Sequence, residues 1–241
     1  MEAVVELRGV SKSFGSLQVI QDLDLRVEEG EALGVVGPNG AGKTTMLNLI
    51  AGSLRPDRGE ILFRGRDVTG LPPQRHCGIG IARTFQIPRP FSGMTVFENV
   101  LVGASYGQPR SDEDAEEATI AALEAAALLP KANALAGVLT LLERKRLELA
   151  RALATGPQVL LLDEVAGGLT EHEIRDLVET VGEMRSRGIA VVWIEHIVHA
   201  LLSVVDRLVA LDFGRKIAEG EPQAVIASPQ VRDVYLGAEA L

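Results

Sequence analysis

The chain has 241 residues, 46% of them apolar and 24% charged, which suits one large domain or a core domain carrying an insert. That composition excludes a disordered chain, a collagen-like repeat and a disulfide scaffold. A net charge of −9 repels nucleic acid and anionic lipid, so neither is an expected partner. Aromatics are 4% of the chain, so the core must come from Val, Leu, Ile and Ala. The single Cys77 has no internal disulfide partner and fits a reducing cytoplasm. The start, Met1 to Glu6, has neither a basic end nor an apolar run of signal-peptide length. The longest apolar stretch, Gly188 to Leu211, is broken by Glu195, His196 and Asp206. It is a poor bilayer span, so a soluble protein is expected, with any link to a membrane made through a partner.

In chain order, Val4 to Leu7 and Gln18 to Val27 read as strands, the second with Leu23, Leu25 and Val27 alternating toward a core. Ala32 to Val36 is a continuous apolar run ending in Gly37, the pattern of a strand buried on both faces and followed by a tight loop. Thr44 to Leu54 has helical spacing, Arg55 to Gly59 reads as a turn, and Glu60 to Phe63 as a strand. From Pro90 to Leu153 helical propensity dominates, with a Ser111 cap before an acidic patch at 112–117 and Ala115 to Leu129 as a helix. The acids read as a solvated helix face. Val159 to Leu162 is a second doubly buried strand, ending in Asp163-Glu164. Ile174, Leu177, Val178, Val181 and Met184 form one stripe of an amphipathic helix. Ile189 to Ile194 is a third buried strand, ending in Glu195-His196; a helix to about Val205, a strand at Leu208 to Leu211 and a small tail follow. Parallel strands with right-handed crossovers put functional groups at their C-terminal ends, where Gly37, Asp163 and His196 all fall.

Gly37-Pro38-Asn39-Gly40-Ala41-Gly42-Lys43-Thr44-Thr45 fits G-x-x-x-x-G-K-[ST] in full, between an expected strand and an expected helix. Glycines let successive backbone N–H groups converge on phosphate oxygens, and the helix presents its positive end to the same anion. Lys43 adds a point charge for the β- and γ-phosphates, and the Thr44 hydroxyl suits Mg²⁺. Asp163 supplies the second acidic partner that phosphate-loop enzymes use to hold Mg²⁺, and Glu164 is placed to polarise an attacking water. The sequence thus points to a nucleoside triphosphate site with Mg²⁺ as a cofactor.

With those motifs in place, the chain from Leu7 to Leu236 resembles an ABC-transporter ATPase subunit. Arg83-Thr84-Phe85-Gln86 is similar to the Q-loop, His196 in Trp193-Ile194-Glu195-His196 to the switch histidine, and Phe14 in Ser11-Lys12-Ser13-Phe14-Gly15 to the aromatic that stacks on adenine. The resemblance implies that Gln86 contacts Mg²⁺ and the attacking water and that His196 hydrogen-bonds the γ-phosphate. Within the superfamily, the stretches 80–86, 91–99, 146–154 and Tyr235-Leu236-Gly237 resemble ATPases of branched-chain amino-acid importers. The implied fold is α/β: a P-loop ABC ATPase core with a parallel sheet, an antiparallel N-terminal β-subdomain and a helical insert at about 90–153, all one domain over 1–241. The implied partners are a second ATPase subunit, different or identical, and membrane permeases that hold the chain on the inner face of the cell membrane. Apolar Ile87, Pro88, Pro90, Phe91, Met94 and Phe97 are candidates for the permease groove or for simple core.

Two stretches depart from that pattern. The signature, usually Leu-Ser-Gly-Gly-Gln, reads Leu139-Thr140-Leu141-Leu142-Glu143, keeping a hydroxyl at Thr140 but losing both glycines. In the family this loop caps the γ-phosphate on the opposite subunit. The D-loop carries Thr170 in place of the common Asp, and Val165 replaces the Pro after the catalytic Glu. The basic Arg144-Lys145-Arg146 after the signature is either a compensating charge near the nucleotide or ordinary helix surface. The expected function is ATP hydrolysis that powers import through dimer closure; the alternative is a regulatory or non-transport ABC ATPase with weak hydrolysis.

Overall fold

A computed structural model describes residues 3–238, with side chains described over 3–234, so the side chains of the Tyr235-Leu236-Gly237 ending lie outside the described set. Two sheets organise the chain. Strands β1 (Ala3–Phe14) and β2 (Leu17–Glu28) make a long hairpin, to which β4 (Arg58–Phe63) and the two-residue β5 (Arg66–Asp67) add in the antiparallel order β2-β1-β4-β5. The second sheet contains β3 (Ala32–Val36), β6 (Ile81–Arg83), β7 (Val159–Asp163), β8 (Ala190–Ile194), β9 (Arg207–Asp212) and β10 (Arg215–Gly220). Its order is β10-β9-β3-β8-β7-β6, parallel throughout except for β10 at one edge.

The continuous apolar runs form strands because both faces find cover. Leu33 and Val35, Val159 and Leu161, and Val192 and Ile194 face one core; Ala32 and Val36, Leu160 and Leu162, and Val191 and Trp193 face another. The first core joins helix α1 (Lys43–Ile50) to the inward residues of the antiparallel sheet. The second lies beneath α6 (Glu171–Ser186), whose Ile174, Leu177, Val181 and Met184 are buried, as the stripe required. A third core is shared by α3 (Val96–Tyr106), α4 (Asp112–Ala125) and α5 (Leu141–Ala154). A Cβ on Gly103 would lie 2.4 Å from the Arg151 carbonyl oxygen, so α3 and α5 touch backbone to backbone there and no larger residue fits.

Several boundaries differ from the sequence expectation. The first strand runs on to Phe14, and Arg58-Gly59 belong to β4 instead of a turn. Helix α1 stops at Ile50, four residues short of Leu54, because Gly52 takes φ +70 with its Cα packed on the buried His76 ring. The ring nitrogens of His76 sit 2.9 Å and 3.1 Å from the carbonyl oxygens of Ile50 and Val68, closing the helix end. The helix expected over Ala115 to Leu129 begins at Asp112, just after its Ser111 cap, and stops at Ala125, before Ala127 at φ +53. The helix after His196, α7, is confined to Val198–Leu202. The region between the first strands and the helical insert also holds α2 (Pro73–Ile79) and the edge strand β6, and the expected small tail contains β10, α8 (Pro222–Ala227) and α9 (Pro229–Ala238). Prolines occupy the first turn of α2, α8 and α9, where a missing N–H costs nothing.

Candidate nucleotide site

The loop between β3 and α1 is built so that side chains would obstruct it. Gly37, at φ +151, would place a Cβ 2.2 Å from the Leu211 carbonyl oxygen, and Gly42, at φ +99, would place one 2.7 Å from the Val19 carbonyl oxygen. The helix that follows has no side-chain cap and no acid in its first turn, so its N–H groups stay available to an anion. Asn39, Gly40, Ala41, Gly42, Lys43, Thr44 and Thr45 line a cavity of ≈ 170 Å³, closed by Val19 and Glu164. Lys43 is nearly buried and donates to the carbonyl oxygens of Gly37 (2.6 Å) and Pro38 (2.9 Å). Burial lowers its pKa, against the raising pull of Glu164 and Asp163. Its ammonium is therefore held beside the loop, costly to bury and ready for a stronger anionic partner.

The two acids after β7 play different parts. Asp163 ends the strand; the Thr44 hydroxyl donates to its Oδ1 at 3.4 Å, and Arg83 donates to its Oδ2 at 2.8 Å. The Thr44 and Asp163 oxygens are hard donors that fit Mg²⁺, and among the described residues no group of three or more His, Cys, Asp or Glu could hold a metal by itself. Phosphate oxygens would have to complete the shell. Glu164 follows at φ +49, an uncommon conformation for a residue with a side chain, fixed by its N–H donating to the Ile194 carbonyl oxygen at 2.9 Å. That geometry turns its carboxylate toward two donors: Gln86 Nε2 reaches Oε2 at 2.5 Å and His196 Nε2 reaches Oε1 at 2.6 Å. Residues 78 and 32 positions away in sequence therefore converge on one carboxylate at the mouth of the phosphate loop.

Residues 20–167 match the family model described as ABC transporter, more than half of the chain. The chain belongs to the ABC transporter family. It is an ATP-binding cassette, an ATPase with an α/β fold and an antiparallel β-subdomain. Residues 215–240 also match the model described as branched-chain amino acid ATP-binding cassette transporter. The chain is 35% identical to the high-affinity branched-chain amino acid transport ATP-binding protein BraF of Pseudomonas aeruginosa, over 97% of this chain and 98% of that protein. It is 34% identical to the lipopolysaccharide export system ATP-binding protein LptB of Acidithiobacillus ferridurans, with 98% of each covered. An ATP-binding cassette of an ABC transporter solved in its ADP conformation superposes with a TM-score of 0.90 at 31% identity, covering 98% of this chain and 100% of that one.

Not every expected site residue of this cassette lines the phosphate cavity. Phe14 stands half-exposed at the end of the β1–β2 hairpin, outside the cavity lining, with the Lys12 ammonium 5.7 Å from its ring centroid. Thr140 is also absent from that lining and serves as the N-cap of α5. There its N–H donates to Glu143 Oε2 at 2.9 Å, and its hydroxyl accepts from the Glu143 N–H at 3.4 Å. Burial opposes charge on Glu143, but the Lys131 ammonium and the Thr140 contacts outweigh it and hold the carboxyl below its usual range. Gln86 lines a separate cavity of ≈ 590 Å³ with Phe85, Ile87, Arg89 and Asp163. Of the groove candidates, Ile87 and Phe91 are exposed, whereas Phe97 packs into the third core; exposed Phe85 lines the Gln86 cavity with Ile87 and, with Tyr106, a neighbouring one.

Three further charged residues stand near this site: Glu195 and Arg83, to which the sequence assigned no role, and Lys145, for which it left two readings open. Lys145 is buried, with burial lowering its pKa against the attraction of Glu195 and Glu164, so it is no ordinary helix surface. Glu195 is buried too, and its carboxylate accepts the N–H of Ala166 at 2.6 Å and of His196 at 3.1 Å, tying the turn after Glu164 to the loop that carries His196. Arg83 is the third. A charged residue next to a doubly buried strand is the signal that marks Glu195; Lys145 shows only as one of the basic run Arg144-Lys145-Arg146, and Arg83 leaves no signal because β6 is too short for a pattern.

Proposed function

We propose that this cassette hydrolyses ATP to power an importer for branched-chain or related amino acids, as one of two cassettes docked beneath membrane permeases on the cytoplasmic face. The observation that carries the catalytic part is the single carboxylate of Glu164, gripped by Gln86 and His196 at the mouth of the phosphate loop. The match of residues 215–240 to the branched-chain model and the full-length likeness to BraF support the cargo class. Among the described residues no helix is long and apolar enough to cross a membrane, which supports attachment through permeases.

In this reading the loop N–H groups and Lys43 bind the β- and γ-phosphates, Lys43 exchanging two carbonyl oxygens for phosphate oxygens. Phe14 stacks on adenine at the hairpin end. Thr44, Asp163 and Gln86 would hold Mg²⁺, which would neutralise charge on the transferring phosphoryl group. Glu164 must first let go of Gln86 and His196; it then orients a water and draws off its proton as the water attacks phosphorus. His196, released, donates from Nε2 to the γ-phosphate. Gln86 belongs to the loop that lines the exposed apolar groove, so a permease segment seated there moves the residue that restrains Glu164. This ties transport to hydrolysis.

The α5 end is ill suited to cap a phosphate. The N-cap donor is used internally, Leu141 projects where glycine is usual, and the Glu143 carboxylate adds negative charge. The phosphate loop of this chain is complete, so the reading calls for a second cassette with an intact signature. The test is a pull-down of tagged Glu164→Gln chain with ATP from detergent-solubilised membranes, together with uptake of labelled leucine in cells lacking the gene. Co-purification of two permeases and a second ATPase, with uptake restored by the wild type and not by Glu164→Gln, is the expected result. Normal leucine uptake without the chain would overturn the cargo, and recovery of soluble proteins alone would overturn the transport role.

A further inference from the structure

A nearly buried carboxylate needs a counter-charge, and Asp163 has one that phosphate chemistry does not require. Arg83, the last residue of β6, spans three elements. Its Nη2 donates to Asp163 Oδ2 at 2.8 Å, its Nη1 bonds Asn48 Oδ1 on α1, and its guanidinium lies 5.4 Å from the ring centroid of Phe85, one residue before Gln86. The pair is well enclosed, with side-chain exposures of 10% and 6%. The fork is divided: one arm fixes Asp163, the other is anchored to the helix that begins at Lys43. The second carboxylate oxygen, Oδ1, is left facing the Thr44 hydroxyl at 3.4 Å.

Joining β6 to β7 does not explain this arrangement. The strands are already paired in register from Ile81–Val159 to Arg83–Leu161, and Thr84 extends the ladder by donating its N–H to the Leu161 carbonyl oxygen. A buried ion pair is also poor glue, because desolvating two charges offsets most of their attraction. What the pair does accomplish is to keep Asp163 aimed and half occupied by a fixed cation.

We propose that Arg83 is a positioning residue that stands in for the metal at Asp163 when no nucleotide is bound. Its charge repels a bare divalent cation, and its fork holds Oδ1 toward Thr44, so the metal enters only with the phosphates that complete its shell. This rests on the reading of Thr44 and Asp163 as the Mg²⁺ site. Because Arg83 also lies against Phe85, the same contact places the Gln86 loop relative to the metal site.

The test is a titration with Mn²⁺, followed by electron paramagnetic resonance, of the full chain as wild type, Arg83→Lys and Arg83→Met, with and without a non-hydrolysable ATP analogue. Without nucleotide, Arg83→Met is expected to bind Mn²⁺ at least about tenfold tighter than the wild type, since unit charges a few ångströms apart in a partly buried site interact by several RT. Arg83→Lys keeps the charge and should stay near the wild type. Adding Asp163→Asn to Arg83→Met should abolish the gain. Arg83→Gln, which keeps a donor for Asn48, should shift in the same direction and serves if the Met variant does not fold. Unchanged or weaker Mn²⁺ binding in both neutral variants would overturn the proposal, as would a lysine variant that behaves like methionine. Failure of the wild type to bind Mn²⁺ even with the analogue would instead overturn the underlying metal site, a separate outcome.

Discussion

Replacing Glu164 by Gln removes one charge while keeping the shape of the side chain, and the structure sets how that loss is divided. The carboxylate accepts from Gln86 through one oxygen and from His196 through the other. A carboxamide has one acceptor oxygen and one NH₂ donor, so one of the two partners must turn its own acceptor to the NH₂ group, and both contacts lose the charged acceptor, at about 1 kcal/mol each. This cost falls on the resting state and, by itself, would ease release of the side chain. The base lost from the reaction weighs the other way: a positioned general base contributes about 10²–10⁴ in rate, or about 3–5 kcal/mol of barrier. The larger effect wins, and turnover should fall by about two orders of magnitude or more. Affinity for ATP should stay within about threefold, because the loop N–H groups and both Lys43 contacts are untouched. Phosphate release at saturating ATP with the partner cassette present, and titration with a fluorescent ATP analogue, measure the two quantities. Turnover near the wild type would remove Glu164 from the reaction; binding lost in parallel with turnover would show that it holds nucleotide instead.

The phosphate loop gives a complementary prediction: Lys43→Ala should weaken ATP binding by at least about tenfold, and unchanged affinity by calorimetry would contradict the loop's role. At the α5 end, Leu141→Gly/Leu142→Gly with Glu143→Gln should raise hydrolysis mainly at the partner's nucleotide, by about tenfold; unchanged site-resolved turnover would refute the account of the signature. Burial raises the pKa of Glu195 above its usual 4.5, outweighing the N–H donors of Ala166 and His196. The folded state therefore holds that proton more tightly than the unfolded chain. The stability it contributes is full below 4.5 and is lost as pH rises through the raised value. Glu195→Gln should flatten the fall in Tm over that window, and an unaltered slope in thermal melts against pH would show that another group is responsible.

Much of this architecture is written locally. The five-residue runs Ala32–Val36 and Val159–Asp163 alternate so strictly between two cores that no other arrangement buries both faces. Gly37 and Gly42 mark the two loop positions where a side chain would strike a backbone carbonyl, and Ser111 and Thr140 cap their helices through side chains only three residues away. What lies within one helical turn or one strand pair is visible in sequence because the chain itself sets the distance. Short edge elements escape that logic: β6 has three residues, too few for a pattern, and is a strand because β7 offers it a ladder.

The charged contacts escape it more completely. Arg83 meets Asp163 across 80 positions and Gln86 meets Glu164 across 78. In sequence, Lys145 is one of three neighbouring basic residues, and only the packing of α5 against the core buries it near Glu195 and Glu164. The sequence by itself determined which strands are buried, where the phosphate loop lies and which acids end a strand, since period and turn chemistry act over a few residues. The tertiary structure decided which donor holds which carboxylate, because that depends on strands brought together from distant parts of the chain and on the low dielectric they enclose.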